Sequence, residues 1–255
     1  MRKTKILRLV FAIVFFFFIV LIYIDLRRYV EATILDVLMT GPMSMTDPRL
    51  ISLIKSRILV APRTGNYNLK ILDHDNPVNV GYNTYLNTSL GFPPLHKLIK
   101  VIFDGRPPGF FVEAGALDGE YLSNTLYLEM EKGWKGLLVE PDKKMFNRLL
   151  QKNRKAWTAN CCLAVTKYPK KEILIKQTDR NGPNDDVGFR AQNMLLSSPF
   201  AIIRDNLVRQ VFDRVQCVPL QSLLKALHVT HVDFLSLDIE DSLSEATLST
   251  LSCKM

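Results

Sequence analysis

Two short apolar runs, each followed at once by an acid, constrain the fold of this chain more than any other feature. Residues 110–112 lead into Glu113, and residues 137–139 lead into Glu140. A glycine-containing turn at 115–119 and a helical segment lie between them. Apolar runs of this length are typical of strands buried on both faces of a parallel sheet. The order strand, acid, glycine turn, helix, strand, acid therefore predicts a ligand pocket at the carboxyl edge of such a sheet.

The turn and its flanking acids predict which groups would contact the ligand. Gly115 and Gly119 let a ligand approach the backbone, and Asp118 lies between them. The start of the following helix offers free N–H groups and a positive dipole end, which suit the carboxylate of S-adenosylmethionine. The sulfonium of the same cofactor suits a nearby acid such as Glu113. Glu140 follows Gly115 by 25 residues, near the spacing at which an acid binds ribose hydroxyls.

A further core strand with an acidic end is predicted close to the carboxyl terminus. Residues 232–237 are mostly apolar and lead into Asp238 and Glu240. The alternation of a strand places both acids on the same face. Beside the first strand they would face the ligand crevice, where such a pair could position a substrate hydroxyl or take its proton. We therefore predict Asp238 and Glu240 as the catalytic residues.

Each of these assignments has a simpler alternative. Glu140 could be a surface acid after a strand of an ordinary α/β core. Asp238 and Glu240 could cap a helix or face solvent. The joint placement of the strands, acids and glycine turn favours the pocket.

Shorter elements are predicted around this core from apolar periodicity and cap residues. A helix begins with Asp47 as cap and Pro48 in its first turn, and Ser123 caps a helix that Gly133 ends. Residues 95–102 predict another helix. Further strands are predicted at 157–165, 172–177 and 215–220, and a short helix at 223–227.

The segment after the second strand predicts an amphipathic helix with Phe146, Leu149 and Leu150 on its apolar side. Its other side is basic, and we interpret it as a solvated face: Lys143, Lys144, Arg148, Lys152, Arg154 and Lys155. The chain has a net charge of +8, but its basic residues are scattered rather than arranged in a stripe. We therefore predict no nucleic-acid binding.

The four cysteines do not have the spacing of a zinc site, and we predict no metal site. Cys161 and Cys162 are adjacent in an apolar run, so strand alternation points them to opposite faces. A buried free thiol is expected for at least one of them. The spacing leaves their pairing with each other, Cys217 or Cys253 open.

The amino terminus predicts a membrane anchor. Residues 9–24 contain no charge, and residues 6–7 extend the segment to about the length that a bilayer needs. Four basic residues precede the run and two follow it closely, so the positive-inside rule leaves the amino terminus in the cytosol. The alternative is a signal peptide cleaved near 30–32. The predicted regions are a cytosolic tip and signal-anchor helix at 1–30, a luminal stem at 31–92 and a folded domain at 93–255.

Several stretches of the sequence resemble a known family. Residues 109–119, 123–126, 133–141 and 233–240 together are similar to the FkbM-type methyltransferase domain. The Phe-Val-Glu-Ala-Gly-Ala-Leu-Asp-Gly-Glu run from 111 and the Asn-Arg-Lys-Ala-Trp run from 153 resemble its Star-like arthropod branch. The resemblance implies a Rossmann-like class I fold that binds S-adenosylmethionine. The implied cofactor residues are Glu113, Gly115, Asp118, Gly119, Asn124 and Glu140.

For Star-like members the resemblance implies a single-pass type II membrane protein with its bulk in the lumen of the endoplasmic reticulum and Golgi, or at endosomes or the plasma membrane. Such proteins assist the trafficking of epidermal-growth-factor-receptor ligand precursors. The expected partners are therefore the membrane and a membrane-bound growth-factor precursor. The alternative function is an S-adenosylmethionine-dependent O-methyltransferase that acts on a glycan or another hydroxyl acceptor.

The sequence departs from the family pattern after the last core strand. The family continues Asp-Val-Glu-Gly-Ala-Glu and then an apolar helix, whereas Asp238-Ile239-Glu240 is followed here by Asp241-Ser242-Leu243. The chain has fifteen residues after Glu240, too few for the remaining strands of a methyltransferase sheet. We therefore expect an α/β fold, with a Rossmann-like class I methyltransferase sheet that is incomplete at the carboxyl terminus, behind an N-terminal transmembrane helix.

Overall fold

In a computed structural model that describes residues 2–69, 93–179, 193–196 and 208–238, the chain forms a mixed α/β fold with two sheets. The strands are β1 (Leu59–Val60), β2 (Phe110–Ala114), β3 (Lys135–Val139), β4 (Trp157–Ala159), β5 (Cys162–Leu163), β6 (Lys170–Asp179), β7 (Met194–Leu195), β8 (Val208–Val218) and β9 (Phe234–Leu237). The helices are α1 (Arg2–Thr40), α2 (Pro48–Arg57), α3 (Pro93–Ile102), α4 (Leu126–Lys132), α5 (Lys143–Gln151) and α6 (Leu220–Ala226).

The first sheet has the strand order β1-β4-β3-β2-β9. β2 pairs in parallel with β3 on one side and with β9 on the other, and β3 pairs in parallel with β4. β1 adds an antiparallel edge strand beside β4. The chain therefore moves outward from β2 to β4 and later returns to the opposite side of β2 as β9. In open α/β sheets, ligands bind outside the carboxyl ends of the strands at such a change of direction.

The apolar runs at 110–112 and 137–139 are confirmed as strands of this sheet, and the strand predicted from residue 232 is confirmed over Phe234–Leu237, so it ends before Asp238. The prediction of one strand over 157–165 is wrong, because the chain bends after β4 and continues as β5 in the other sheet. Asn160 fixes this bend, since its side-chain N–H groups donate to the carbonyl oxygens of Glu140 at 2.8 Å and of Pro141 at 3.2 Å.

The second sheet has the order β5-β8-β6-β7, and its main unit is the long antiparallel pair of β6 and β8. β5 pairs in parallel with β8 so that Cys162 lies opposite Cys217. A disulfide joins these two residues across 55 positions of the chain. Cys161 is a buried free thiol, as expected for one of the adjacent pair.

Apolar side chains pack on both faces of the first sheet. On one face, Val112 and Leu137 belong to a cluster that also contains Leu50 and Ile54 of α2 and Leu59 of β1. On the other face, a second cluster contains these buried residues: Ile99, Phe103, Phe111, Ala116, Leu128, Trp134, Leu138, Leu149 and Ala156. Residues 48–60, which the sequence places in a stem, therefore contribute to the core beside the strands.

Helix α1 has 39 residues and is roughly 58 Å long at 1.5 Å per residue. Its part from Val10 to Thr40 is long and apolar enough to cross a membrane, and a signal sequence has the same properties. The carboxyl end of α1 contacts the domain, where Leu38 and Met39 are buried. The side chain of Gln216 in β8 donates to the carbonyl oxygen of Met39 at 2.8 Å.

The predicted helix ends at Asp47 and Gly133 are confirmed, whereas Ser123 is not the N-cap residue, because α4 begins at Leu126 and Thr125 precedes it. Asp47 accepts the N–H of Arg49 at 2.8 Å and precedes Pro48 at the start of α2. Gly133 ends α4 in the left-handed conformation, with a φ of 67°. Both caps follow from residue chemistry alone, since one supplies an acceptor to an unpaired N–H and the other tolerates a positive φ.

Candidate functional site

Glu113, near the end of β2, is buried under the turn that follows its strand, with an exposed fraction of 2%. One carboxylate oxygen accepts the hydroxyls of Ser123 at 2.9 Å and Thr125 at 2.6 Å. The other oxygen accepts the backbone N–H of Asn124 at 2.7 Å. Burial raises the pKa of the Glu113 carboxyl, and the charge of Arg154 and these hydrogen bonds oppose the rise. Glu113 therefore anchors the far end of the turn to β2.

Glu140, directly after β3, joins the turns that follow the two strands. Its oxygens accept the N–H of Leu117 at 2.8 Å and the N–H of Asp142 at 2.7 Å. Its exposed fraction is 3%. Burial raises the pKa of Glu140 to about 8; the two backbone hydrogen bonds oppose the rise, and Asp142 and Asp118 add to it. Each oxygen has a second lone pair, so Glu140 retains acceptor capacity for a ligand hydroxyl.

The glycines of the turn adopt backbone conformations that favour glycine. Gly115 has a φ of +86° and Gly119 a φ of +78°. The N–H of Gly115 donates to the carbonyl oxygen of Val139 at 3.0 Å. A Cβ atom on Gly115 would lie 1.9 Å from the carbonyl oxygen of Asp238. Position 115 therefore requires glycine for two reasons: the positive φ, and the close approach of the chain that follows β9.

The first N–H group of α4 and two N–H groups of the turn before it already have acceptors. Asp118 accepts the N–H of Glu120 at 3.0 Å and of Tyr121 at 2.8 Å. The hydroxyl of Ser123 accepts the N–H of Leu126, the first residue of α4, at 3.2 Å. The prediction of free N–H groups at the helix start is therefore wrong for Leu126, because the Ser123 hydroxyl accepts its N–H.

Two residues of the predicted solvated basic face are buried behind the turn instead. Lys152 has an exposed fraction of 8% and Arg154 of 1%. The Lys152 ammonium pairs with Glu120 and lies 3.7 Å from Asp118. The prediction of a solvated face is wrong for these two residues because α5 ends at Gln151, so both lie beyond the helix on the path into β4.

The Arg154 guanidinium donates to acceptors on both sides of the turn. It bonds the Glu129 carboxylate at 3.1 Å and the carbonyl oxygen of Gly119. It also bonds the hydroxyl of Ser123 at 3.3 Å and the hydroxyl of Thr125 at 3.2 Å. Arg154 lies within the Asn-Arg-Lys-Ala-Trp run that carries part of the family resemblance, and that was the available signal for its importance.

Asn124 connects the turn to the strand on the far side of β2. Its side-chain N–H donates to the hydroxyl of Ser236 in β9 at 3.0 Å, while its backbone N–H binds Glu113. The structure therefore brings the predicted cofactor residues together around the carboxyl ends of β2 and β3: Glu113, Gly115, Asp118, Gly119, Asn124 and Glu140. Their contact with a cofactor remains a prediction.

Asp238, the first predicted catalytic residue, directly follows β9 and has an exposed side chain. Its N–H donates to the carbonyl oxygen of Ala114 at 2.9 Å, which places it beside the end of β2. Partial burial of the Asp238 carboxyl raises its pKa. Glu240, the second predicted catalytic residue, lies outside the described residues. Within the described part of the chain, no group of three or more His, Cys, Asp or Glu side chains is arranged to hold a metal ion.

Comparison with known families assigns the sheet and turn described above to one domain type. A sequence model of the methyltransferase FkbM domain matches residues 113–242, about half of the chain. The match begins at Glu113 and extends past β9. No curated protein and no solved structure matches the chain.

Proposed function

The chain belongs to the FkbM methyltransferase domain family, and we propose that it is an S-adenosylmethionine-dependent O-methyltransferase with a glycan or another hydroxyl compound as acceptor. The observation that carries this proposal is the position of Glu140. Its carboxylate lies at the carboxyl edge of the parallel sheet and is hydrogen-bonded to the turn after β2.

The strand order supports a Rossmann-like class I sheet as the finer description of the fold. Four parallel strands lie in the order β4-β3-β2-β9, and the direction of the chain along the sheet reverses beside β2. In such folds the cofactor lies across the carboxyl ends of the strands next to the reversal. Glu140, Asn160 and Asp238 all follow strands at this edge.

The side chains at this edge fit an adenosyl cofactor with hydroxyl groups and a positive charge. Glu140 would accept the ribose hydroxyls, because each of its oxygens has a lone pair beyond its backbone contact. Asn160 is partly exposed beside it and would contact the adenine side. When bound, S-adenosylmethionine supplies an electrophilic methyl group on a sulfonium.

The same turn disfavours a cofactor with a pyrophosphate. Dinucleotides place their phosphates on unpaired N–H groups at a helix start. Here Asp118 and Glu113 occupy the N–H groups of Glu120, Tyr121 and Asn124. These acids would repel the negative charges of a pyrophosphate more strongly than a cofactor whose carboxylate is offset by a sulfonium, so we propose S-adenosylmethionine and not NAD as the ligand.

Asp238 is the proposed proton acceptor for the hydroxyl of the acceptor molecule. Its side chain is exposed at the edge of the sheet, and its raised pKa makes it a stronger base than an ordinary aspartate. An acceptor hydroxyl that loses its proton to Asp238 becomes a better nucleophile for the methyl group. Glu240 is proposed to assist it from the same segment.

A location in the secretory pathway, with the domain in the lumen and α1 as a type II anchor, is part of the proposal. The disulfide between Cys162 and Cys217 supports it, because disulfides persist in oxidising compartments and are rare in the cytosol. The apolar part of α1 and the basic residues that precede it support the orientation.

Isothermal titration of the full chain in detergent with S-adenosylmethionine tests the proposed ligand. We expect the wild type to bind, Glu140→Gln to bind at least about tenfold more weakly, since one acceptor for a ribose hydroxyl is lost, and NAD not to compete. Glu131→Gln is the matched control, because Glu131 is an exposed acid on α4. Absence of binding to the wild type, or equal binding of NAD, would overturn the proposal.

The trafficking of growth-factor precursors is a second candidate, favoured by the apolar helix that could hold the domain at a membrane. Depletion of the protein, with measurement of precursor secretion, tests it. Rescue by Glu140→Gln as well as by the wild type would mean that trafficking uses the fold without cofactor binding. Unchanged secretion after depletion would exclude this candidate.

A further inference from the structure

We propose that Arg154 is the positioning residue of the cofactor turn: its guanidinium holds residues 119–125 in shape and keeps the Glu113 carboxylate ionised beneath them. The effect on cofactor binding rests on the proposed function. The coupling between Arg154 and Glu113 rests on contacts alone and can be tested without a cofactor.

The Arg154 side chain lies in the interior and connects the turn to neighbouring elements. It is almost fully buried and comes from the segment that leads into β4. Three of its acceptors belong to the turn, namely the carbonyl of Gly119 and the hydroxyls of Ser123 and Thr125. A buried guanidinium with these partners fixes both the middle and the end of the turn, because its donors form a rigid planar fork.

The guanidinium reaches Glu113 through two shared hydroxyls. Ser123 and Thr125 each accept from Arg154 and donate to the same oxygen of Glu113. Hydrogen bonds from the guanidinium polarise the two hydroxyls and make them stronger donors to the carboxylate, so Arg154 stabilises the ionised form without direct contact. Because a buried carboxylate without compensation takes up a proton, removal of Arg154 favours the neutral form of Glu113.

Protonation of Glu113 would alter the turn. The ionised carboxylate accepts three hydrogen bonds, from two hydroxyls and from the N–H of Asn124. A protonated carboxyl carries a donor of its own, so at least one of these donors must turn away. Since Asn124 also binds Ser236, the change would loosen the link between the turn and β9.

Other charged groups face the same interior and define the controls. Glu129 of α4 pairs directly with Arg154 and also accepts the backbone N–H of Lys155 at 2.7 Å. Burial and Glu129 raise the pKa of Tyr67 well above its ordinary range, and Arg154 opposes the rise. Lys152 holds the other acids of the turn, Asp118 and Glu120. After Arg154 is replaced, the unpaired carboxylate of Glu129 would produce a pH dependence similar to that of Glu113, so Glu129 must be controlled for.

The stability of the full chain in detergent, measured from pH 5.5 to 8.5, tests the coupling. Without Arg154, Glu113 is expected to take up a proton at the acid end of this range, so we expect Arg154→Gln to lower the melting temperature only slightly there. We expect this loss to grow as the pH rises, because an ionised Glu113 then lacks compensation. The growth with pH should disappear in Glu113→Gln/Arg154→Gln and persist in Glu129→Gln/Arg154→Gln.

A melting-temperature loss that does not change with pH, or that loses its pH dependence only when Glu129 is replaced, would overturn the coupling. Arg154→Lys keeps the positive charge but lacks the planar guanidinium, and it replaces Arg154→Gln in the test if that variant does not fold. We expect Arg154→Lys to retain the pH profile of the wild type. A melting-temperature loss in Arg154→Lys that grows with pH, as expected for Arg154→Gln, would also contradict the proposal.

Titration of the same variants with S-adenosylmethionine tests the consequence for the cofactor. We expect Arg154→Lys to bind about tenfold or more weakly than the wild type, because a misplaced turn costs binding geometry. Equal affinity would contradict the positioning role. If the wild type fails to bind, the proposed function fails, and the stability measurements still decide whether Arg154 governs Glu113.

Discussion

The carboxylate of Glu140 accepts the N–H of Leu117 at 2.8 Å, so the acid after β3 supports the turn after β2. A second hydrogen bond, from the N–H of Asp142 at 2.7 Å, holds the other oxygen. The turn and the acid therefore form one unit, and any change in the charge of Glu140 acts on both. Two predictions concern this charge.

The first prediction is that the wild type loses stability as the pH rises from 4.5 to about 8. Burial raises the pKa of Glu140 from 4.5 to about 8. A raised folded-state pKa contributes stability that is complete below the unfolded value and is lost as the pH passes through about 8. Over the whole window from 4.5 to about 8 the loss is at most on the order of 5 kcal/mol, of which about 3 kcal/mol falls above pH 6. Urea unfolding at pH 6 and pH 9 should show a smaller loss in Glu140→Gln than in Glu131→Gln.

The second prediction is that the affinity for S-adenosylmethionine changes with pH in the opposite direction. Ribose hydroxyls donate best to an ionised carboxylate, so binding should strengthen between pH 6.5 and pH 8.5, the window around the pKa of Glu140 of about 8. Titration calorimetry at several pH values measures the slope. Glu140→Gln should bind weakly with little slope, and an unchanged slope in this variant would assign the effect to another group.

The third prediction separates two costs of replacing a glycine. Gly115→Ala introduces a Cβ 1.9 Å from the backbone of Asp238 at a φ of +86° and should destabilise the protein by about 2–4 kcal/mol. Gly105→Ala is the matched control, because its φ is +66° and no heavy atom lies within 4 Å of the added Cβ. It should cost only about 1–2 kcal/mol. Equal effects in denaturant unfolding would mean that backbone strain alone decides both.

The fourth prediction concerns the cysteines. Cys162 and Cys217 should react with iodoacetamide only after reduction, because they form a disulfide. Cys161 should remain unmodified until the protein unfolds, since burial raises its pKa to about 12. Mass spectrometry of the labelled peptides checks both statements. Cys217→Ser should lower the stability by about 2–4 kcal/mol, with Cys161→Ser as the control for loss of a thiol.

The sequence predicts the strands of the first sheet well because their signals are local. The runs that become β2, β3 and β9 are mostly apolar, and each strand is followed by an acid or a glycine. β2 and β3 are buried on both faces, so their apolar pattern is visible in the sequence whichever strands pair with them. Cap residues are predicted for the same reason, since Asp47 acts on a group two residues away.

The parts that were predicted wrongly depend on distant contacts. The end of β4 is set by Asn160, whose side chain binds the chain about twenty residues earlier. The burial of Arg154 depends on acceptors 25 to 35 residues away, which no local pattern displays. A basic residue just after a helix has the same sequence pattern whether it lies in solvent or under a turn.

The position of the acids within the site shows the same limit. Sequence spacing predicts that Glu113, Asp118 and Glu140 lie at the edge of the sheet, and the structure places them there. Sequence spacing does not predict that each carboxylate accepts hydrogen bonds from N–H groups of the protein. These hydrogen bonds depend on the path of the turn, which Gly115 and Gly119 permit through their positive φ angles.

Helix α1 continues without interruption from its apolar part to Thr40 and then contacts α2 and β6. If α1 crosses a bilayer, about 30 Å of its length is immersed, and the remainder is a stiff spacer attached at one end to the folded part. Such a spacer would fix the distance and the tilt of the first sheet's carboxyl edge relative to the lipid surface. Acceptors that diffuse in the same membrane would then meet this edge at a constant height, whereas acceptors in bulk solution would gain nothing from this attachment.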